Sequence, residues 1–226
     1  MKRILTFLLA GIMMLTLAAC ENSAPAESAS EDETQTSNST NVQTESSTTD
    51  EGGNHMLVVY FSLAGEQYGV GVVEEGNTSI IAHMIAEQTG ADLFEIKPET
   101  PYPTTYQELL DVSQQEMADN ARPEIAGTVD NMDDYDTIFI GYPNWWGDMP
   151  MIVYNFLESY DLSGKTIVPF CTHGGSGLSN TESTIADITG GTMKDGFAIP
   201  GTTAQNDRDT AGSKVTEWLK EGGFAE

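Results

Sequence analysis

The sequence predicts an α/β fold built on a parallel sheet, and three observations predict it. Five apolar runs recur along the chain, at residues 57–61, 92–96, 137–141, 166–171 and 193–199. A segment with helical spacing follows each run. Residues 57–61 and 137–141 are nearly all apolar, as strands become when helices cover both faces of their sheet. Such alternation favours right-handed parallel crossovers. Ligands then bind where the carboxyl ends of the strands meet loops and helix N-termini.

The elements follow in order. After the first run, Asn77 or Thr78 suits a helix N-cap, and Ile80, Ile81, Met84 and Ile85 form one apolar stripe. Tyr106, Leu109, Leu110 and Met117 mark a second helix. Pro150 opens a third, with Ile152, Val153, Phe156 and Leu157 on its buried side. Ile185 and Ile188 mark a shorter fourth, and Val215, Trp218 and Leu219 a fifth that stops at Gly222-Gly223. These stripes read as core.

The N-terminus addresses the compartment. Met1-Lys2-Arg3 precedes an apolar stretch from Ile4 to Ala19, the pattern of a secretory signal and short for a membrane span. The stretch closes with Leu17-Ala18-Ala19-Cys20, which resembles a bacterial lipobox. That resemblance implies a signal peptide over residues 1–19, cleavage before Cys20, and lipid attachment to Cys20. Two or more acyl chains give stable anchoring where one is marginal. Residues 21–54 hold thirteen Ser/Thr, eight Asp/Glu and no Lys or Arg. So polar a segment cannot bury enough apolar surface to offset ordering. Residues 20–54 are therefore expected to be a disordered tether reaching roughly 30–35 Å. The expected location is extracytoplasmic, anchored to the cell membrane.

Residues 55–226 then suit one domain with a sizeable core. They carry 27 acidic and 7 basic residues, a net charge of −20. A polyanion would be repelled, so nucleic acid is excluded as a partner. Cys20 and Cys171 are the two cysteines, and a lipidated Cys20 leaves no pair for a disulfide. Cys171 lies in an apolar run, the setting of an inert buried thiol. The histidines His55, His83 and His173 do not cluster, and no Cys/His metal spacing occurs.

Three strand ends carry unusual loops. Ser62-Leu63-Ala64-Gly65 has small residues and a hydroxyl before a helix that starts near Gly76-Asn77-Thr78. Backbone N–H groups and a helix N-terminus there suit a phosphate. With no Lys or Arg in the loop, N–H and O–H donors would have to hold it. The loop is neither a Walker loop nor a dinucleotide fingerprint, because Gly69-x-Gly71 is followed by Glu74. Pro143-Asn144-Trp145-Trp146-Gly147 sets two tryptophans where they either plug the sheet or face a flat ligand. Thr172-His173-Gly174-Gly175-Ser176-Gly177 lets backbone approach a ligand closely. A serine-hydrolase elbow fails there, since its last glycine is misplaced.

These motifs together resemble the flavodoxin-like family, in particular a bacterial branch with a Tyr-Pro-x-Trp-Trp loop. The match rests on Val59-Tyr60-Phe61-Ser62, Gly76-Asn77-Thr78, Pro101-Tyr102-Pro103, Gly141-Tyr142-Pro143-Asn144-Trp145-Trp146 and Phe170-Cys171-Thr172-His173 with the glycines after it. The resemblance implies a three-layer sandwich, with a five-stranded parallel sheet in order 2-1-3-4-5 and helices on both faces. It also implies FMN as cofactor. Ser62, Ala64, Gly65, Asn77 and Thr78 would hold its phosphate. Pro143, Asn144, Trp145 and Trp146 would border its ring on one side, and Thr172, His173, Gly174, Gly175 and Gly177 on the other. The chain departs from the compact family pattern in placing ten residues between Gly65 and Gly76 and Ala64 where a Thr is usual. The function expected is a membrane-tethered electron carrier with a redox protein or small acceptor as partner. The alternatives are an FMN-dependent NAD(P)H or quinone reductase, and a binding protein that has lost FMN. Electron transfer needs no catalytic acid or base.

Overall fold

The computed structural model describes residues 55–226, so the signal-peptide, tether and lipidation expectations for residues 1–54 lie outside the described residues. The chain runs β1 (Met56–Tyr60), β2 (Gly65–Gln67), β3 (Gly71–Val73), α1 (Asn77–Thr89), β4 (Asp92–Glu95), β5 (Lys97–Pro98), α2 (Tyr106–Asp119) and β6 (Ile125–Ala126). It continues β7 (Thr137–Pro143), α3 (Met151–Ser159), β8 (Thr166–His173), α4 (Thr181–Thr189), β9 (Thr192–Met193), β10 (Phe197–Pro200), α5 (Gly201–Asn206) and α6 (Arg208–Gly222). The main sheet is parallel in the order β4-β1-β7-β8-β10. That is the expected 2-1-3-4-5 order. No helix among the described residues is long and apolar enough to cross a membrane.

Side-chain alternation along the strands builds two cores. Leu57, Val59, Ile138, Ile140, Tyr142 and Ile167 face one side, where Ile152, Val153, Phe156 and Leu157 of α3 and Ile185 of α4 cover them. Val58, Tyr60, Phe139, Val168 and Phe170 face the other, under Ile81 and Ile85 of α1 and Val215, Trp218 and Leu219 of α6. Both faces of the central strands are therefore dry, which explains their unbroken apolar runs. Tyr142, fully buried, donates its hydroxyl to Thr181 Oγ1 at 2.6 Å and so ties β7 to the start of α4. Cys171 is also fully buried, and burial pushes its thiol up to about 12. The inert-thiol reading fits that environment.

Three details depart from the expected elements. The run at residues 193–199 is two short strands, both paired with the same edge of β8. Ile167 O accepts from Lys194 N on that edge (2.9 Å), so Pro169, two residues on, turns its missing N–H toward it. The ladder breaks there, and Gly196 fills the gap against the Pro169 ring, where a Cβ would stand 3.0 Å from Cγ. Secondly, neither Asn77 nor Thr78 caps α1: the N-cap is Gly76 and both residues lie inside the first turn. Thirdly, the segment between Gly65 and Gly76 is the antiparallel β2–β3 hairpin, with Gln67 opposite Gly71.

Gly141 on β7 is pressed under the Phe170 ring, where a Cβ would stand 2.1 Å from Cζ. Gly141→Ala is expected to lower stability by about 1–3 kcal/mol through overpacking. The cost should shrink when Phe170 is also replaced by Leu. Urea unfolding of both single variants and the double variant measures this coupling.

Candidate functional site

The carboxyl ends of β1, β7, β8 and β10 surround a cleft of about 430 Å³. It lies at the point where the chain leaves β1 for one side of the sheet and β7 for the other. Beside it a recess of about 20 Å³ reaches Ser62, Asn77, Thr78 and Thr172.

The α1 end is built for an anion. Ser62 Oγ accepts from Ser79 N at 3.0 Å, so a side chain from the β1 loop caps the helix from outside. Gly76 permits that approach, because a Cβ there would stand 2.2 Å from Ser62 Oγ. The N–H groups of Asn77 and Thr78 open the helix and have no partner among the described residues. Two unpaired N–H groups at the positive end of a 13-residue helix attract an acceptor. The side-chain Oδ1 of Asn77 is buried and also without a partner among the described residues. Its amide borders the cleft and abuts Gly201, where a Cβ would stand 2.4 Å from Nδ2. Thr78 Oγ1 and Thr172 Oγ1 share a hydrogen bond of 2.8 Å, both side chains buried, which locks α1 to β8. Neither Lys nor Arg lines the cleft.

The two tryptophans divide their tasks. Trp145 and Asp148 exchange backbone hydrogen bonds of 2.9 Å each, closing a tight turn. Its two central residues, Trp146 and Gly147, have φ of +58° and +83°. Gly147 takes that conformation freely, whereas Trp146 holds it at a cost of about 1–2 kcal/mol. Trp145 packs edge-on against Phe61 and Tyr102, at centroid distances of 5.6 and 5.7 Å, and is an extension of the core with one edge on the cleft. Trp146 remains 48% exposed and borders the cleft, its indole N–H held by Ser113 Oγ of α2 at 3.0 Å. Asp148 accepts from Tyr154 OH and Met149 N, and so stabilises the turn into α3.

Asn144 joins the β7 and β8 loops. Its Nδ2 donates to Gly177 O (2.9 Å) and Ser179 Oγ (3.2 Å), and its Oδ1 accepts from Gly147 N (3.0 Å). Pro143, Thr172, His173, Gly174 and Gly175 also reach the cleft. Gly177 does not: its carbonyl serves Asn144 and the Cys171 thiol instead. Ala64 and Gly65 lie off the cleft as well. Gly65, at φ +102°, lets β2 pass beside Thr104, where a Cβ would stand 2.7 Å from the carbonyl oxygen.

Sequence periodicity missed two walls. Tyr106, Leu109 and Leu110 of α2, read above as core alone, line the cleft with Ser113. Glu66, Gln67 and Tyr68 of the hairpin form another side. A helical stripe has the same spacing whether it meets a core or a ligand. The hairpin's signal was the pair of glycines around Val70, together with an aromatic residue set in a polar loop.

His173 Nδ1 accepts from Gly175 N at 2.9 Å, which places the proton of the neutral ring on Nε2. Burial holds its pKa below the usual 6.5. As the pH falls below 6.5 the unfolded chain takes up a proton at this position that the folded chain resists. Relative to His173→Gln, the wild type is therefore expected to lose stability between pH 7.5 and 5.5. The difference in urea midpoint between the two proteins, followed across that range, isolates the effect from the other titrating groups.

Solved structures of similar shape carry the same architecture. A protein from Bacteroides eggerthii designated a flavoprotein is 30% identical, with a TM-score of 0.60 over 76% of this chain and 99% of its own. A second, from Bacteroides uniformis and given the same designation, is 31% identical, with a TM-score of 0.59 over 74% and 99%. A flavoprotein from Lactobacillus acidophilus, solved in complex with FMN, is 23% identical with a TM-score of 0.51 over 67% and 96%, and shares the fold. No functionally curated protein matches. Residues 55–220, which contain the whole sheet and the loops around the cleft, match the family model described as flavodoxin, and the chain belongs to the flavodoxin family.

Proposed function

We propose that the cleft binds FMN and that the domain is an electron carrier, tethered outside the cytoplasmic membrane through a lipid on Cys20. The observation that carries the cofactor reading is the pairing of two chemistries in one cleft. The free N–H groups of Asn77 and Thr78 suit a phosphate, and an aromatic and glycine-lined slot suits a flat ring. The complex of the Lactobacillus acidophilus relative with FMN supports the same ligand.

When bound, FMN supplies the electron chemistry; the protein supplies binding, orientation and electrostatics. The first turn of α1, with Ser62 held back as its cap, would receive the phosphate. Trp146 would border the ring, and the backbone of His173-Gly174-Gly175 would approach it without side chains intervening. Asn144 would keep the two loops at a fixed separation. His173, whose pKa burial holds below the usual 6.5, lines the cleft, and a carrier asks no proton transfer of it. The surrounding charge of −20 opposes added negative charge on the ring. It should hold the potential of the bound flavin below that of free FMN.

Tethering is supported by the Leu17-Ala18-Ala19-Cys20 sequence and by the polar composition of residues 21–54. A carrier in that position would exchange electrons with a redox protein or a small acceptor outside the membrane.

The test is titration of FMN with residues 55–226, followed by flavin fluorescence and the visible spectrum. Quenching with a protein-bound spectrum is expected. Trp146→Ala should weaken binding by about tenfold, the value of one aromatic stack, and lower the melting temperature only slightly, through loss of the Ser113 hydrogen bond. Trp145→Ala should instead cost on the order of 2 kcal/mol of stability by opening the Phe61–Tyr102 cluster. Unchanged fluorescence with a folded domain would refute the cofactor and the carrier together.

A further inference from the structure

The β2–β3 hairpin belongs to neither helical layer. It is inserted between β1 and α1, where a direct strand-to-helix turn would leave that side of the cleft open. At its base, Glu66 N donates to Thr104 O at 2.8 Å, and Glu66 Oε2 accepts from Tyr106 N at 2.9 Å, fixing it to the start of α2. At its tip, the Tyr68 ring rests on Gly174 of the β8 loop, where a Cβ would stand 2.8 Å from Cδ1. Gly69 beside it meets Thr202 at the start of α5, whose Cγ2 would lie 3.4 Å from a Cβ. The hairpin thus bridges α2, the β8 loop and α5.

Tyr68 is held at the mouth of this cleft. Its ring lines the cleft, lies 6.1 Å from the Tyr106 ring, and is still 64% exposed. An aromatic ring that lines a cleft and is still largely exposed offers its surface to a flat ligand. The β8 loop, from His173 to Gly177, offers no Phe, Tyr or Trp of its own. Its glycine at 174 is what lets a ring from elsewhere lie down on it.

We propose that Tyr68 is a positioning residue that closes the cleft over the flat ring of the bound ligand and retains it, the hairpin being the arm that delivers it. This rests on the FMN reading given above. The insertion then adds a second restraint. The first turn of α1 holds the phosphate end of the ligand, and an aromatic residue brought across the cleft slows departure of the ring.

The experiment measures FMN release from the full-length protein in detergent solution, as recovery of free-flavin fluorescence on dilution. Visible circular dichroism of the bound flavin serves as the second readout, because it reports ring orientation and not fold. Tyr68→Ala is expected to release FMN about tenfold faster and to change the dichroism. Tyr68→Phe should restore release to within about twofold of wild type and restore the dichroism. Release from Tyr68→Ala at the wild-type rate, or from Tyr68→Phe as fast as from Tyr68→Ala, would overturn the proposal while leaving FMN binding intact. A wild type that does not bind FMN would overturn the FMN reading and this proposal with it.

Discussion

The fold depends on one constraint: a parallel sheet whose central strands must be dry on both faces. Parallel strands have no short return, so each crossover carries a helix, and each helix has to bury an apolar stripe. Val58 and Phe139 are committed to one core, and Leu57, Val59, Ile138 and Ile140 to the other. No strand side chain in the middle of the sheet is left for chemistry. Polar function is forced to the strand ends, where β1 and β7 send the chain to opposite faces and a crevice opens. Even the hydroxyls at that end are used for fastening, Thr78 to Thr172 and Tyr142 to Thr181.

The same constraint sets what the sequence discloses. The strands were legible because two-sided burial leaves continuous apolar runs, and the strand order followed once the loop motifs at residues 62–65, 142–147 and 172–177 were recognised together. Tertiary context decided the rest. Pro169 breaks the ladder only because its nitrogen faces β9 and β10, which no local pattern reveals. Asn77 and Thr78 have the side chains of caps, yet a serine fifteen residues earlier does the capping at the third N–H of the helix. Leu109 and Leu110 carry the spacing of core and serve as cleft wall. The hairpin leaves no alternating pattern in the sequence, because its strands are three residues each, too short for alternation to register.

Strain is concentrated where shape matters. The turn after β7 puts a tryptophan, rather than a second glycine, at positive φ. A glycine would relax the backbone and lose the wall. The indole is then fixed from the far side by Ser113, a buried residue on α2, so that the loop and the helix hold one another's position. Trp145, its neighbour, points into the Phe61 and Tyr102 rings and anchors the base of the same turn. Adjacent residues with identical side chains thereby do opposite work, one fastening the loop and one presenting a surface.

The lack of Lys or Arg in the cleft lining has a consequence for where and when the site fills. A phosphorylated ligand approaching this domain meets a field of the same sign as itself, with backbone dipoles as its local attraction. Those dipoles act within the first turn of the helix, whereas the repulsion acts over a Debye length, about 10 Å in 0.1 M salt and 30 Å in 0.01 M. Added electrolyte therefore removes the opposing part and leaves the favourable part. Loading should be tighter in brine than in fresh medium, the reverse of a lysine-based phosphate site. If the domain is tethered outside the membrane as proposed, its occupancy would in this way follow the ionic composition of its surroundings.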